Sequence, residues 1–297
     1  MKFAFATLDV FTETRFAGNP LAVVFDADGL APGTMQAVAR EFGHPETVFV
    51  LKPKAADSTA QARIFTPAVE MPFAGHPTVG TALALALRRG GGSDIVLEEQ
   101  IGLLKCRVSA DGADRGRASF VLPSLPKPAG TPADRAAIAA ALGLKPDDIG
   151  FDRHTPSKWS VGNVFTFVPL RDIDAVRRCR VDEARWDTAF ESGGRSNAFV
   201  FCRETVDAAN SFHARMFAPR LGVREDPATG SAAATFAGFC AAELSLGDGE
   251  HRFAIEQGFE MGRPSLIELG LTLRGGALAT ASVGGPAIVV TEGMIEA

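Results

Sequence analysis

The chain repeats its own sequence pattern, and this repeat constrains the fold more than any other feature. The clearest echo is Ala-Arg-x-Phe-x-Pro, which occurs at Ala62–Pro67 and again at Ala214–Pro219. Each copy is followed by a Pro-x-x-Gly-x-Ala turn, in His76–Ala82 and in Asp226–Ala232. Three shorter echoes keep the same order, at offsets of 144 to 157 residues: Gly18-Asn19 with Gly162-Asn163, Phe49-Val50 with Phe199-Val200, and Glu99-Gln100 with Glu256-Gln257. Five ordered echoes rarely arise by chance, so the sequence predicts an internal duplication.

The length of the chain agrees with two similar domains. Its 297 residues are enough for two domains of roughly 150 residues each. Three prolines in Pro123–Pro128 indicate a semi-rigid linker. We therefore predict an N-terminal domain over residues 1–124 and a C-terminal domain over 125–284. The sequence leaves open whether a last strand over 285–297 returns to the first domain. A cleft between the two turns is the expected place for chemistry.

Composition excludes several classes of protein. Apolar residues make up 46% of the chain and charged residues 22%, which is typical of a soluble globular protein. A net charge of −5 without a long basic run argues against a nucleic-acid partner. No apolar run reaches the roughly 18 residues that a membrane span needs, and Met1–Phe5 alternates like a strand rather than a signal peptide. The cysteines are far apart and the histidines lack metal spacing, so we expect no metal, a reduced environment and a cytoplasmic location.

Hydrophobic patterning predicts an α+β fold in which each half is strand-rich with one central helix. Ala82–Leu87 is apolar on all sides, so the helix predicted over Pro77–Arg89 should be buried. Strands and helices do not alternate regularly, which argues against a doubly wound parallel sheet. We expect each half to be a β-barrel or rolled sheet around its helix. The other predicted helices are Thr34–Phe42 before Gly43, a helix with Thr131 as N-cap and Pro132 as its first residue, and Ala232–Ala242. The predicted strands are Lys2–Val10, Leu21–Phe25, Thr47–Leu51, Ala60–Thr66, Asp94–Glu99, Leu103–Val108, Ala118–Leu122, 164–169, 197–203, 211–217, 252–256, 265–273, 277–283 and 287–291.

The two glycine-bearing turns are candidate anion sites. Gly75–Thr81 has the glycine spacing of a phosphate loop, but Thr81 stands where such a loop requires lysine, and no dinucleotide fingerprint follows a strand. What remains is a helix N-terminus with free backbone N–H groups, which suits a carboxylate as well as a phosphate. Asp226–Ala232 offers the same group of donors. The alternative is that these glycines and prolines only shape tight turns.

Glu46 is the strongest single candidate for acid/base chemistry. It opens a predicted strand, and its counterpart in the second half of the repeat is taken to be Ser196. Two similar halves that differ in one ionisable group suggest one acid/base residue that serves a shared cleft. The alternative is an exposed glutamate at the start of a strand.

Three further polar residues flank these segments. His76 has an ordinary pKa close to neutrality and could carry a proton, or it could only cap its helix. Asp226 is a second candidate and is equally plausible as a helix N-cap. Asn19, between Gly18 and Pro20, is a candidate ligand or a turn residue.

Together these segments resemble one family, the PhzF-like phenazine-biosynthesis isomerases. The resemblance covers nearly the whole chain, and the pair of His-Pro and Asp-Pro turns is its most specific feature. The matching segments are Asp9–Phe11, Phe16–Val23, Glu46–Phe49, Arg63–Pro67, Glu70–Gly80, Glu225–Ala232, Gly258 and Gly262–Ser265.

The resemblance implies the diaminopimelate epimerase-like fold, with two pseudo-symmetric barrel domains and an active site between them. It also implies an essential glutamate at Glu46, assisted by His76, Asp226 and Ser231. The related two-thiol racemases have cysteines at positions that align with about Ala74 and Pro227, where this chain has none. The family usually has serine before the glutamate, and Pro45 replaces it here.

These inferences converge on a cofactor-independent isomerase that acts on a small carboxylic acid, such as a dihydro-hydroxyanthranilate. Glu46 would take a proton from carbon and return it to another atom on the same face, with His76 and Asp226 assisting. The rivals are a non-catalytic binding protein and a lyase or hydratase with the same base. A homodimer is one expectation for an oligomeric state that the sequence leaves open. The residues expected to hold the substrate are Asn19, Gly75, Gly80, Thr81, Gly230 and Ser231.

Overall fold

A computed structural model describes residues 1–91, 94–191 and 194–297 of the chain. The described chain forms two compact units. The first contains Met1–Pro123 and Ser282–Ala297, and the second contains Ser124–Ala281.

The first unit is a closed barrel. Strand pairing runs in the order β1, β2, β3, β4, β6, β7, β8 and β17, and β17 pairs back with β1. The pairs β2–β3 and β4–β6 are parallel and the others are antiparallel. The short strand β5 pairs with β4 outside this ring. The strands are β1 Lys2–Val10, β2 Asn19–Val24, β3 Glu46–Leu51, β4 Ala60–Phe65, β5 Glu70–Met71, β6 Ile95–Glu99, β7 Gly102–Ala110, β8 Arg115–Val121 and β17 Ala277–Glu296, of which the residues from Ser282 onward belong to this unit.

Two helices complete the first unit. Helix α2, Gly75–Arg88, is buried from Gly75 to Ala86 and packs against β1, β2, β6, β7 and β8. A helix without a polar face needs apolar cover all round, and the barrel supplies it. Helix α1, Pro32–Phe42, begins with a proline at its first position and ends at Gly43 in the left-handed conformation (φ 64°).

The second unit repeats this plan. Its strands pair in the order β9, β10, β11, β12, β13, β15 and β16, with β14 on β13, and the pairs β11–β12 and β13–β15 are parallel. Helix α6 is the counterpart of α2, and the Phe236 ring lies 4.7 to 5.5 Å from five neighbouring phenylalanine rings, measured between centroids. The elements are β9 Lys127–Pro128, α3 Arg135–Ala141, β10 Ser157–Ser160, β11 Val164–Pro169, α4 Ile173–Arg178, α5 Glu183–Trp186, β12 Asn197–Cys202, β13 Phe212–Ala218, β14 Val223–Asp226, α6 Gly230–Glu243, β15 Gly249–Gln257 and β16 Ser265–Arg274.

The duplication is visible in side-chain contacts as well as in topology. Arg63 on β4 forms a bidentate ion pair with Glu70 on β5, with N–O distances of 2.7 Å. Arg215 on β13 forms the same bidentate pair with Glu225 on β14, at 2.8 and 2.9 Å. In both units an arginine therefore ties the short strand to its neighbour. The predicted α+β fold with two similar barrel-and-helix halves is confirmed.

Two local predictions are wrong. The helix expected to open at Thr131 begins at Arg135, because the Asp134 carboxylate accepts a hydrogen bond from Ala137 N at 2.7 Å and so caps the helix. The two strands expected over 277–283 and 287–291 are one continuous strand, β17. Among the described residues no helix is long and apolar enough to cross a membrane.

Candidate functional site

Two of the predicted site residues meet in the first unit. Glu46 is the first residue of β3, where the parallel pairing with β2 sets it opposite Leu21. His76 is the second residue of α2. The Nε2 atom of His76 lies 3.3 Å from Oε2 of Glu46, and the two side chains are 4% and 18% exposed. A carboxyl group and an imidazole are thus in contact at a largely buried site.

The surroundings of His76 keep its ring neutral. Burial lowers the pKa of His76 to about 3, and His44 also lowers it, although a hydrogen bond to the Pro20 backbone acts in the opposite direction. Proline has no N–H, so the ring donates to the Pro20 carbonyl. Nε2 makes no hydrogen bond in the described structure, so the donor is Nδ1. A neutral ring has only one N–H, and His76 therefore turns the lone pair of Nε2 toward Glu46.

This arrangement is suited to moving a proton. Two lone pairs at 3.3 Å would repel each other, whereas a protonated Glu46 could donate to Nε2. The ring can thus stabilise the acid form of Glu46 without itself being charged. A carboxyl group that holds a proton in one step and releases it in another is the requirement for a single acid/base residue.

The other predicted residues of the first unit lie on the same elements. Gly75 is the first residue of α2, and Asn19 is the first residue of β2, where its side chain is fully buried. Gly80 and Thr81 lie further along α2, inside the barrel. A Cβ at Gly80 would be 2.5 Å from Cδ2 of Leu21, so close packing of the helix requires glycine there.

The turn that carries Asp226 is held by hydrogen bonds of its own. Thr229 Oγ1 donates to Asp226 Oδ2 at 2.5 Å. Gln257 Nε2 donates to the Asp226 carbonyl at 2.7 Å and to Thr229 Oγ1 at 3.0 Å. The N-cap of α6 is Thr229, so the interpretation of Asp226 as the N-cap is wrong. Gly230 and Ser231 are the first two residues of α6.

Strand register corrects the pairing of the two turns. Met71 lies opposite Ile64 in the first unit, and Asp226 lies opposite Met216 in the second. Since Ile64 and Met216 occupy the same place in the Ala-Arg-x-Phe segment, Asp226 corresponds to Met71 and not to His76. His76 instead corresponds to Ser231, because each is the second residue of a 14-residue helix.

The same register identifies the true counterpart of Glu46. Glu46 pairs with Leu21 across the parallel strands, and Asn197 pairs with Phe165 in the same way. The predicted counterpart Ser196 is therefore one residue too early. Ser196 Oγ is occupied by Thr166 Oγ1 and the Phe190 carbonyl, both at 2.8 Å. Asn197 cannot ionise, so Glu46 still marks an asymmetry between the units.

The positions that align with racemase thiols also shift. The residues that precede the two helices are Ala74 and Thr229, and each is the N-cap of its helix. The second position is thus Thr229 rather than Pro227. Neither residue is a cysteine, so neither supplies a thiol for a two-thiol mechanism.

Two residues that support the turns were missed as site residues, Glu99 and Gln257. Glu98 lies opposite Gln61 between β4 and β6, and Glu256 lies opposite His213 between β13 and β15. Glu98 and Glu256 are thus equivalent, and the next residues, Glu99 and Gln257, are equivalent too. The repeated Glu-Gln pair in the sequence pointed to this region, but it matched Glu99 with Glu256, one residue away from the correspondence that the strand register shows.

Comparison with known proteins places the chain in a family. Residues 8–293 match the profile of the phenazine biosynthesis-like proteins, PhzC-PhzF. The chain is 49% identical to an uncharacterized isomerase of Mesorhizobium japonicum, over 97% of this chain and 96% of the relative. It is 34% identical to the trans-2,3-dihydro-3-hydroxyanthranilate isomerase of Pseudomonas fluorescens, over 98% of each chain.

Solved structures show the same relationship. A PhzF-family protein of Bacillus anthracis superposes with a TM-score of 0.89 at 26% identity, over 100% of both chains. A probable proline racemase of Agrobacterium radiobacter shares the fold alone, with a TM-score of 0.59 at 14% identity, over 99% of this chain and 92% of the racemase. The chain therefore belongs to the phenazine biosynthesis-like family and is an isomerase.

Proposed function

We propose that the protein isomerises a small, unsaturated carboxylic acid by moving a proton with Glu46 as the single acid/base. The observation that carries this proposal is the contact between Glu46 and a neutral His76 at 3.3 Å. The named activity of the relative in Pseudomonas fluorescens points to a dihydro-hydroxyanthranilate or a related acid as substrate.

The proposed reaction needs one proton carrier. Glu46 removes a proton from a carbon next to the conjugated system, and the electrons of that C–H bond shift into the conjugated system. The protonated Glu46 then delivers the proton to another atom of the substrate on the same face. The neutral His76 ring accepts a hydrogen bond from Glu46 between the two steps, which keeps the acid form in place.

Polar groups at a helix start are suited to hold the substrate. The backbone N–H groups of Gly75 and Gly230 each lie in the first turn of a helix, where N–H groups lack intrahelical partners and the helix dipole favours an anion. They suit the substrate carboxylate and the negative charge that develops on oxygen. We assign Asn19 of the first unit, and Asp226 and Ser231 of the second, to substrate binding or proton transfer.

A deuterium-exchange experiment tests the role of Glu46. The protein is incubated in D₂O with trans-2,3-dihydro-3-hydroxyanthranilate, and isomerisation and mass shift are followed together. Glu46→Gln keeps the shape of the side chain but cannot take up a proton from carbon. We expect turnover to fall at least about a hundredfold while the fold is retained. Glu41→Gln, on the exposed face of α1, is the matched control and should retain full turnover.

Two results would count against the proposal. Undiminished exchange in Glu46→Gln would move the chemistry to another residue, with His76 and Asp226 as the next candidates. Product that has lost or gained water, rather than an isomer, would indicate a lyase or hydratase that uses the same base. Binding of the acid without any exchange would reject this compound as substrate, and a panel of unsaturated carboxylic acids would follow.

A further inference from the structure

We infer that Glu99 is held as a neutral carboxylic acid and positions the start of helix α2, and with it His76. Glu99 is the last residue of β6, and its side chain reaches the first turns of α2. The catalytic consequence rests on the function proposed above, whereas the protonation state of Glu99 does not.

The two contacts of the Thr78 hydroxyl group are both hydrogen bonds only if Glu99 carries a proton. Thr78 Oγ1 lies 2.8 Å from the Ala74 carbonyl oxygen and 2.7 Å from Glu99 Oε1. A hydroxyl group has one hydrogen to donate, and a carbonyl oxygen has none. If Thr78 donates to Ala74, the hydrogen between Thr78 and Glu99 must come from the carboxyl group. Glu99 then donates to Thr78, and Thr78 donates to the N-cap residue Ala74.

The burial of Glu99 supports the neutral form. The side chain is 6% exposed, and its Oε2 atom has no hydrogen-bond partner among the described residues. An ionised carboxylate in this place would have one donor at most, and burying a poorly paired charge is costly. The ionisable neighbour is Cys106 on β7, whose thiol is buried and neutral. Burial raises the pKa of Glu99 to about 8.

The second unit supplies an independent comparison. The residue equivalent to Glu99 is Gln257, which is a permanently neutral donor. Gln257 Nε2 donates to Thr229 Oγ1 and to the Asp226 carbonyl, and its Oε1 accepts from Thr229 N. A protonated glutamate has nearly the shape of a glutamine, with a donor and an acceptor on one end. Both units thus fix the start of their central helix with a neutral side chain from the equivalent strand.

The preceding residue behaves oppositely and serves as a control. Glu98 accepts hydrogen bonds from Lys54 N and Ala55 N at 2.9 and 3.1 Å. Those backbone donors, with Ser58, lower the pKa of Glu98. Adjacent glutamates on one strand thus differ in environment, because Glu98 accepts from two backbone N–H groups whereas Glu99 is buried beside a single hydroxyl group.

Ionisation of Glu99 would disturb the helix start. An ionised Glu99 would accept a hydrogen bond from the Thr78 hydroxyl group, and the Ala74 carbonyl would then lose that hydroxyl as a donor. The Ala74 carbonyl would retain only the Thr78 N–H, at 3.2 Å. Because Ala74 directly precedes Gly75 and His76, we expect this loss to loosen the position of His76 next to Glu46. A displacement of about 1 Å near a reacting group can cost about a hundredfold in rate.

Infrared difference spectroscopy tests the protonation state without any substrate. We expect the wild-type protein to show the C=O band of a protonated, buried carboxylic acid at pH 7, and to lose it as the pH rises through about 8. The band should be absent from Glu99→Gln and should persist in Glu98→Gln. A spectrum of Glu99→Gln that retains the band, with folded protein by circular dichroism, would overturn the inference.

The pH dependence of turnover tests the positioning role. The wild-type rate should fall above about pH 8, and Glu99→Gln should keep its rate at high pH because its donor cannot ionise. Thr78→Val, which breaks the relay but keeps the volume, should lower kcat more than it changes KM. A high-pH fall that is the same in Glu99→Gln would refute the positioning role. If the wild type shows the infrared band but no turnover, the proposed function fails and the assignment of Glu99 as a neutral acid stands.

Discussion

The sequence predicts that Gly80 of α2 binds the substrate, whereas its surroundings in the structure indicate that it is needed for packing. The substitution of Gly80 by alanine distinguishes these two roles. The substitution Gly80→Ala adds one methyl group in the interior of the helix. Alanine favours the helix over glycine by about 1 kcal/mol. The new Cβ would lie 2.5 Å from Leu21 Cδ2 and 2.8 Å from Val10 Cγ2. Carbon atoms rest at about 3.5–4.0 Å, so both contacts overlap by more than the side chains can absorb in place.

The balance of these two effects sets the expected magnitude. Leu21 and Val10 are fully buried, so neither can move into solvent. Overpacking of this kind costs about 1–3 kcal/mol. After the gain in helix propensity is subtracted, Gly80→Ala should destabilise the first unit by about 1 kcal/mol, and by about 2 kcal/mol at most. If Gly80 serves packing, the KM of the substrate should stay unchanged in the folded variant.

Urea denaturation followed by far-ultraviolet circular dichroism measures this change. Tryptophan fluorescence would not report on it, because both tryptophans, Trp159 and Trp186, lie in the second unit. The matched control is Gly33→Ala in α1, where a Cβ would meet no atom within 4 Å. That control should stabilise the protein by about 0.5–1 kcal/mol. A Gly80→Ala protein as stable as the Gly33→Ala control, with a raised KM, would refute the packing argument and favour contact of Gly80 with substrate.

Two further predictions concern the second unit, where tryptophan fluorescence reports unfolding. Gly238→Ala would make the new Cβ overlap Cε3 of the Trp159 ring and lie 2.9 Å from Cζ3. This overpacking should lower the urea midpoint of unfolding and shift the fluorescence emission of Trp159. An unshifted emission would show that the ring has room for the added methyl group. The protonated His213 ring donates hydrogen bonds to Glu256 and Glu260, at 2.8 and 2.9 Å. Burial lowers the pKa of His213, but these two hydrogen bonds outweigh burial, and the pKa is raised. The stability from His213 should therefore be complete below about pH 6.5 and be lost as the pH rises through the raised pKa. His213→Gln should remove this fall of the midpoint above pH 6.5, and an unchanged fall would point to another group.

The barrel-and-helix plan could be predicted because the sequence leaves its central helices no alternative. Ala82–Leu87 has no polar face, so only a surrounding sheet can cover it, and the structure shows that cover. Strand bounds that rest on alternating or β-branched residues fall within a few residues of the observed ones. The predicted strand Lys2–Val10 matches β1 at both ends.

Local signals failed where tertiary contacts replaced the usual meaning of a residue. Gly284, Gly285 and Pro286 suggested a break, yet β17 continues through them. A Cβ at Gly284 would lie 2.5 Å from Ser119 Cβ, so this glycine allows close approach of β8. The Pro286 carbonyl accepts hydrogen bonds from Phe11 N and Thr12 N, at 2.7 and 3.1 Å, which hold the strand in place. Sequence alone cannot distinguish such a glycine from a turn.

The candidate site was only partly predictable for a related reason. Echoes in sequence align residue types, whereas strand register aligns positions in space. The Pro-x-x-Gly pattern recurs at shifted positions in the two halves, so the sequence paired His76 with Asp226. The bidentate pairs Arg63–Glu70 and Arg215–Glu225 fix the true correspondence, and they depend on which strands are neighbours.

The corrected correspondence strengthens the case for one-sided chemistry. A racemase that works from two faces needs a proton acceptor and a proton donor on opposite sides of its substrate, and a duplicated chain with the same residue at two equivalent positions would offer such a pair. In this chain four equivalent pairs near the helix starts combine unlike side chains. The pairs are Glu46 with Asn197, His76 with Ser231, Met71 with Asp226, and Glu99 with Gln257. Each of these four positions thus keeps at most one ionisable group, and of the two central helices only α2 begins with an imidazole in contact with a carboxyl group, at 3.3 Å. Such a division favours a proton that leaves and returns through Glu46 over a proton that crosses the substrate from one base to another.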